Sequence, residues 1–221
     1  MPSQHLELSR PTAPFTKTAI RTPLPGFTVT WEGYNGHMTE LGQLAQLVGA
    51  SERTLRRAVA EGALRGKRSS PRRLKLSALE REYVLRQWSL LAQLRAALRT
   101  EHNVRFALLF GSFARGDDKE GSDVDLIVEM RNSSLVRIVD LELKLEELLE
   151  RRVDVLTLAD VRTNPVLLAE AVAEGRTIID REERWAQLSS EAEAIDRRAR
   201  RHLREHSHRA LAGIDRLLAE A

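Results

Sequence analysis

Three aspartates and a Gly-Ser pair mark out the chemistry in this chain. An apolar run, Phe106-Ala107-Leu108-Leu109-Phe110, stops at Gly111-Ser112; ten residues further on comes Asp123-Val124-Asp125, followed at once by Leu126-Ile127-Val128. If Asp123 and Asp125 lie at the start of a strand, they project from one face while Val124 points to the other. Two carboxylates about 7 Å apart along a strand suit one or two hard cations, which take oxygen ligands. Gly111 permits close backbone approach to a ligand, and Ser112 adds a hydroxyl beside the free amides of a starting helix. Arg115 follows as a candidate phosphate contact. These parts suit a metal-bound triphosphate. A third aspartate, Asp154, stands inside the apolar run Val153 to Leu158, where burying a lone carboxylate is costly unless it meets a cation or a donor; an edge-strand aspartate facing water is the alternative. A Gly-Ser turn before a strand with exposed aspartates is the bland alternative.

The elements that must position these residues are short. Phe106 to Phe110 and Val124 to Val128 read as two buried strands, and Val153 to Leu158 as a third. Gly111-Ser112, the ten-residue spacer and Asp123-x-Asp125 resemble the signature of the DNA polymerase β-type nucleotidyltransferases. The fuller string Gly111-Ser112-Phe113-Ala114-Arg115-Gly116 with Ser122-Asp123-Val124-Asp125-Leu126 resembles its minimal nucleotidyltransferase branch. The resemblance covers roughly residues 101 to 180. It implies an α/β (α+β) fold with a small mixed sheet. It also implies that Asp123, Asp125 and Asp154 are catalytic and hold Mg2+ or Mn2+, and that Gly111, Ser112 and Arg115 bind ATP or another nucleoside triphosphate.

The remaining chain is read by composition and period. With 221 residues, no cysteine and a formal net charge of +3, it can hold one domain or two small ones, without disulfides or thiolate metal sites. No apolar run reaches membrane-span length and no signal pattern opens the chain, so a cytoplasmic location is the default. Residues 1–37 are broken by Pro and Gly and read as a disordered leader, with Met38 an alternative start. Residues 38–84 read as helix, Gly turn, basic helix and basic hairpin, with Leu41, Leu44, Ala45 and Val48, then Leu55, Ala58 and Val59, facing inward. That order resembles the winged helix-turn-helix of MerR-type and excisionase-type DNA-binding domains. Between Thr39 and Lys75 nine basic residues meet three acidic ones, about +6 for the module, the footprint of a phosphate-binding face. Arg53, Arg56 and Arg57 on the second helix, with Lys67, Arg68, Arg72 and Arg73 on the wing, are the candidate DNA contacts. A helical dimerisation module and an RNA reader are the alternatives; the second lacks the interleaved aromatics that single-strand readers use.

Residues 85–102 complete a linking helix from Ser77, with Leu79, Tyr83, Leu90, Leu91, Leu94 and Leu98 at helical spacing and Trp88 as packing. Residues 103–181 form the catalytic region. It includes a helix carrying Leu135, Ile138, Val139, Leu141, Leu145, Leu148 and Leu149, a helix opened by Asn164-Pro165, and a last strand at Thr177 to Asp180. Residues 182–221 read as a helical tail with two apolar stripes, one of Trp185, Leu188, Ala192 and Ile195 and another of Leu203, Leu211, Ile214, Leu217 and Leu218, and a basic stretch from Arg197 to Arg209 between them. Within that stretch Arg201 and His206 match an R-x4-H pattern like that of HEPN ribonucleases, and His202 and His206 lie one turn apart. Both patterns are cheap in so Arg- and His-rich a segment.

The resulting expectation is transfer of a nucleoside monophosphate, AMP, from a triphosphate to an acceptor. The resemblance implies that the acceptor is a co-encoded toxin, a HEPN ribonuclease among the candidates. The N-terminal module would bind the operon's own promoter as a homodimer. Two other classes stay open: a transcription factor whose nucleotidyltransferase fold only senses nucleotide, and a transferase or toxin acting on tRNA or a small molecule.

Overall fold

Residues 39–70 and 73–219 are described by a computed structural model of the chain. The expected leader, residues 1–37, and Arg72 lie outside these residues; of Arg73 only the backbone is described. Helix α1 (Glu40–Leu47) opens on Thr39, whose hydroxyl accepts the Gly42 N–H at 3.0 Å. Helix α2 (Glu52–Ala60) opens the same way on Ser51, which accepts from Thr54 at 3.0 Å. These side-chain caps satisfy amides that have no partner inside the helix. Strands β1 (Lys67–Ser70) and β2 (Arg73–Lys75) pair antiparallel as a hairpin. Helix α3 (Ala78–Thr100) follows, capped by Ser77.

The central sheet is built from β3 (Val104–Phe110), β4 (Val124–Met130), β5 (Val153–Thr157) and β6 (Arg176–Asp180), in the order β5-β4-β3-β6. β3 runs antiparallel to both β4 and β6, while β4 and β5 are parallel. A parallel pair needs a crossover, which helix α5 (Leu135–Leu149) supplies. Both faces of β3 are buried, which is why its sequence is a continuous apolar run rather than an alternation. Ala107 and Leu109 face the core shared with α1, α2, α3 and α5; Phe106 and Leu108 face a second core. That second layer is made by α6 (Leu158–Val161), α7 (Pro165–Glu174), α8 (Arg184–Ser190) and α9 (Ala192–Ala219). The mixed α/β architecture expected from the sequence is thus the architecture found. No described helix is long and apolar enough to cross a membrane.

Several details differ from expectation. Leu79, placed on the inward stripe of α3, is 79% exposed; the inward face runs instead through Tyr83, Val84, Trp88, Leu91, Leu94 and Leu98, and it includes the polar Glu80, Gln87 and Arg95. On α5 only Leu141 and Leu145 are fully inward, while Leu135 and Val139 are exposed, because α5 covers the sheet on one side only. Helix α6 was not anticipated: Thr157, at the end of β5, caps it by accepting the Asp160 N–H. The tail divides at Glu191 into two helices, and Leu203, assigned to an apolar stripe, is exposed. The rest of that second stripe, from Leu211, lies outside the described side chains.

The N-terminal helices and the sheet share one hydrophobic core, from Leu44 and Leu55 through Leu91 to Leu126 and Val155. The described residues from Thr39 onward fall within one compact unit.

Candidate active site

The site forms where β3 ends and β4 begins. Phe110, the last residue of β3, lies opposite Asp125 in the antiparallel register. The chain then turns through Gly111 at φ +68° into the short helix α4 (Gly111–Arg115). This turn needs glycine twice over. The left-handed backbone disfavours any side chain, and a Cβ at Gly111 would stand 2.2 Å from Asp125 Oδ2. Gly111 and the second aspartate of the motif are therefore closely packed. Val124 is fully buried while Asp123 and Asp125 remain partly accessible, the alternation expected at the start of the strand.

Asp154 reaches the same place through the parallel pairing, where Asp125 stands beside Asp154 across β4 and β5. Its environment is not the buried one inferred from its apolar neighbours. β5 is an edge strand, and Asp154 and Leu156 point to its open side while Val153 and Val155 point inward. The register, and not desolvation, brings Asp154 to the other two carboxylates. Its strand is held by α5: Glu146 and Glu142 accept the N–H groups of Val153 and Val155 at 3.2 and 3.1 Å. Those bonds cover the edge that would otherwise offer free donors.

Electrostatically the three aspartates are unbalanced. Burial raises the Asp125 carboxyl above the ordinary aspartate value, and repulsion from Asp154 and then Asp123 raises it further; Arg115 opposes this only in part. Arg115 is itself engaged elsewhere. Its Nε donates to Asp117 and its Nη1 to Glu174, both at 3.1 Å, and those two partners hold it more firmly protonated. Arg152 lies 4.0 Å from Asp123 in an exposed pair, of little energetic weight. Among the described residues no three acidic or histidine side chains are drawn into a ready coordination cluster. An excess of carboxylate facing a mild deficit of positive charge is still a donor set that fits a hard divalent cation.

The candidate DNA contacts are distributed unevenly. Arg53 is exposed on α2. Arg56 bonds to Glu52 at 2.9 Å through Nε, and Arg57 to Glu61 at 2.6 Å, both one turn away. Lys67 and Arg68 are exposed on β1. Residues that the sequence reading did not single out include Glu174, the anchor of Arg115, and the buried Arg176. Gly175-Arg176 just before an apolar strand was the available signal, but nothing local says where such an arginine finds its partner.

The polymerase beta nucleotidyltransferase family model matches residues 92–184. A putative protein adenylyltransferase of Methanocaldococcus jannaschii is 48% identical over 58 residues, which make up 26% of this chain and 62% of that relative's length. The protein adenylyltransferase MntA of Thermococcus cleftensis is 38% identical over 76 residues, 34% of this chain and 77% of MntA. A chain from the Shewanella oneidensis complex of a tri-AMPylated HEPN toxin with MNT antitoxin aligns at 17% identity over 60% of this chain and 98% of its own, with a TM-score of 0.39. With the Gly111–Asp125 turn, the paired carboxylates and most of MntA's length in common, this chain belongs to the MntA-like polymerase beta nucleotidyltransferases.

Proposed function

We propose that the protein transfers AMP from ATP to a hydroxyl group on a partner toxin, a HEPN-type protein. The observation that carries the chemical part is the register of Asp125 beside Asp154 with Gly111 packed against Asp125. Asp123, Asp125 and Asp154 would hold Mg2+ or Mn2+, which when bound offsets charge on the phosphates and on the attacking and leaving oxygens. Gly111 and Ser112 hold the terminal phosphates through backbone amides and the Ser112 hydroxyl, with Arg115 nearby. The acceptor oxygen attacks the α-phosphorus, a new P–O bond forms, the bond to the bridging oxygen breaks, and pyrophosphate leaves. Asp154, exposed on the edge strand, is best disposed to orient the acceptor hydroxyl and take its proton. The curated relatives are protein adenylyltransferases, and a short catalytic core suits an acceptor that brings its own binding surface.

The N-terminal helices and hairpin form, in this reading, a winged helix-turn-helix that binds the operon's own promoter as a homodimer in the cytoplasm. The excess of basic residues and the exposed Arg53 on α2 support it. The test of transfer is incubation with ATP, magnesium and the product of the neighbouring gene, read by intact mass. A gain equal to one or more AMP groups on the partner is expected. No mass change with any of the four common triphosphates overturns the reading.

A further inference from the structure

Away from the carboxylates, the structure holds a buried ionic junction that the chemistry above does not use. Arg176, at the start of β6, is 2% exposed, and Glu80 of α3 is 5% exposed. Arg176 Nη1 and Nη2 donate to the two Glu80 carboxylate oxygens at 2.6 and 3.1 Å, a two-pronged pair. The third donor, Nε, bonds to the carbonyl of Ala114 at 2.6 Å. Ala114 lies in α4, the helix that begins at Gly111. The guanidinium also stacks 3.3 Å from the centroid of the Tyr83 ring. Tyr83 also meets the C-terminal end of α4: a Cβ at Gly116 would stand 2.9 Å from Tyr83 Cδ2. Glu80 reaches back to the N-terminal helices by accepting the Arg65 N–H at 2.8 Å, and Thr177 N–H donates to Gly62 at 3.1 Å. The loop beyond the turn is tied to α3 as well, Gln87 donating to Asp118 at 2.5 Å.

A buried pair of this kind is costly to desolvate and is retained only when its geometry and remaining bonds are well satisfied. Nη1 also donates to the Ala63 carbonyl at 3.4 Å, so every guanidinium nitrogen has an acceptor, and one of the four acceptors is the backbone of α4 itself. The Tyr83 hydroxyl is the exception, buried without a partner; what Tyr83 contributes is its flat ring.

We propose that Arg176, held by Glu80 and Tyr83, is a positioning residue for the Gly111–Ser112 turn, so that α3 and the N-terminal helices form part of the nucleotide site. The proposal rests on the assignment of Gly111 and Ser112 to triphosphate binding. A catalytic group displaced by a fraction of an ångström loses rate or affinity steeply, so loosening this bracket registers as weaker nucleotide binding.

The experiment uses the full chain and a non-hydrolysable ATP analogue with magnesium, titrated calorimetrically, alongside steady-state transfer. Arg176→Lys keeps a charge for Glu80 but loses the planar fork that also reaches Ala114. Tyr83→Leu removes the ring and leaves the ion pair intact. Each should weaken analogue binding about tenfold and raise KM for ATP more than it lowers kcat. Tyr83→Phe, which keeps the ring and deletes the unpartnered hydroxyl, should bind like the parent. A purely structural role would instead lower the folded fraction, reducing kcat at unchanged KM, and that pattern overturns the proposal. If Arg176→Lys does not fold, Tyr83→Leu with its Phe counterpart decides. Unchanged analogue affinity in the folded variants sinks the bracket and leaves nucleotidyl transfer standing; a parent chain that binds no analogue sinks both.

Discussion

Asp125 is the residue at which stability and activity are set against each other. Its folded carboxyl titrates above its unfolded value because it is partly desolvated beside Asp154 and Asp123. Between those two values the folded chain binds more proton than the unfolded one, so stability falls as pH rises through that window and stays lowered above it. Asp125→Asn removes this penalty. The metal-free variant should melt higher than the parent at neutral pH, and the difference should shrink on acidification toward the ordinary aspartate range. The same substitution should lower transfer by at least about 100-fold, since it removes a proposed ligand to the cation. Melts in chelator at several pH values, with magnesium-dependent transfer measured in parallel, check both halves. Asp123→Asn should lower transfer similarly. Gly111→Ala is a different kind of change. The added Cβ meets Asp125 Oδ2 at 2.2 Å and the backbone stays at φ +68°. Destabilisation by more than about 1 kcal/mol is expected, together with loss of ATP binding, measured by denaturant unfolding and analogue titration.

At the scale of the element, α2 divides its arginines by their partners. Arg56 and Arg57 each face a glutamate one turn away, so part of their charge is already neutralised within the helix. Arg53 is exposed, which makes it the sharper probe of the DNA-binding proposal. Arg53→Ala should weaken promoter binding and, if the contact is to phosphate, reduce the salt slope by about 1 for every sequence alike. Loss of discrimination at a single base pair, at about 1–3 kcal/mol, would mark a base contact instead. Binding isotherms over a salt series on promoter and scrambled DNA separate the two. Affinity that does not move in either series removes α2 from the interface.

For the whole molecule, the two proposed activities share one core yet should separate by mutation. Asp125 lies near the start of the inner strand β4 and Arg53 on the surface of α2, and neither belongs to the Arg176–Glu80 junction. Asp125→Asn should leave a partner toxin unmodified while the promoter stays bound; Arg53→Ala should do the opposite. Toxin mass in cells and promoter occupancy in vitro, measured on each variant, test this. A homodimer would read two half-sites about one helical turn apart, and a footprint of a single half-site at saturation would argue against dimeric binding. If Asp125→Asn still neutralises the toxin without changing its mass, protection is by binding alone.

The order and type of the catalytic elements were legible because they depend on local pattern. Runs such as Phe106 to Phe110 and Leu126 to Val128 are short and uniformly apolar, as strands covered on both faces must be. The caps Thr39, Ser51, Ser77 and Asn164 stand where their hydroxyl or amide meets free amides. Gly111-Ser112 and Asp123-x-Asp125 were visible as a spacing. What the sequence could not state is which strand lies beside which. Burial among apolar neighbours, one reason to single out Asp154, does not hold on an exposed edge strand; the family resemblance grouped it with Asp123 and Asp125, and the parallel register across a crossover sets it beside Asp125. The facing of Leu79 and Leu135 likewise depends on which side of a helix the sheet occupies. The junction of Arg176 with Glu80, 96 residues apart in the chain, is the extreme case. Local pattern fixes what a segment forms, because backbone and side-chain sterics act over a few residues. Partners for buried charge are chosen only when distant segments are brought together, and tertiary structure alone decided that Arg176 meets both Glu80 and the Ala114 carbonyl.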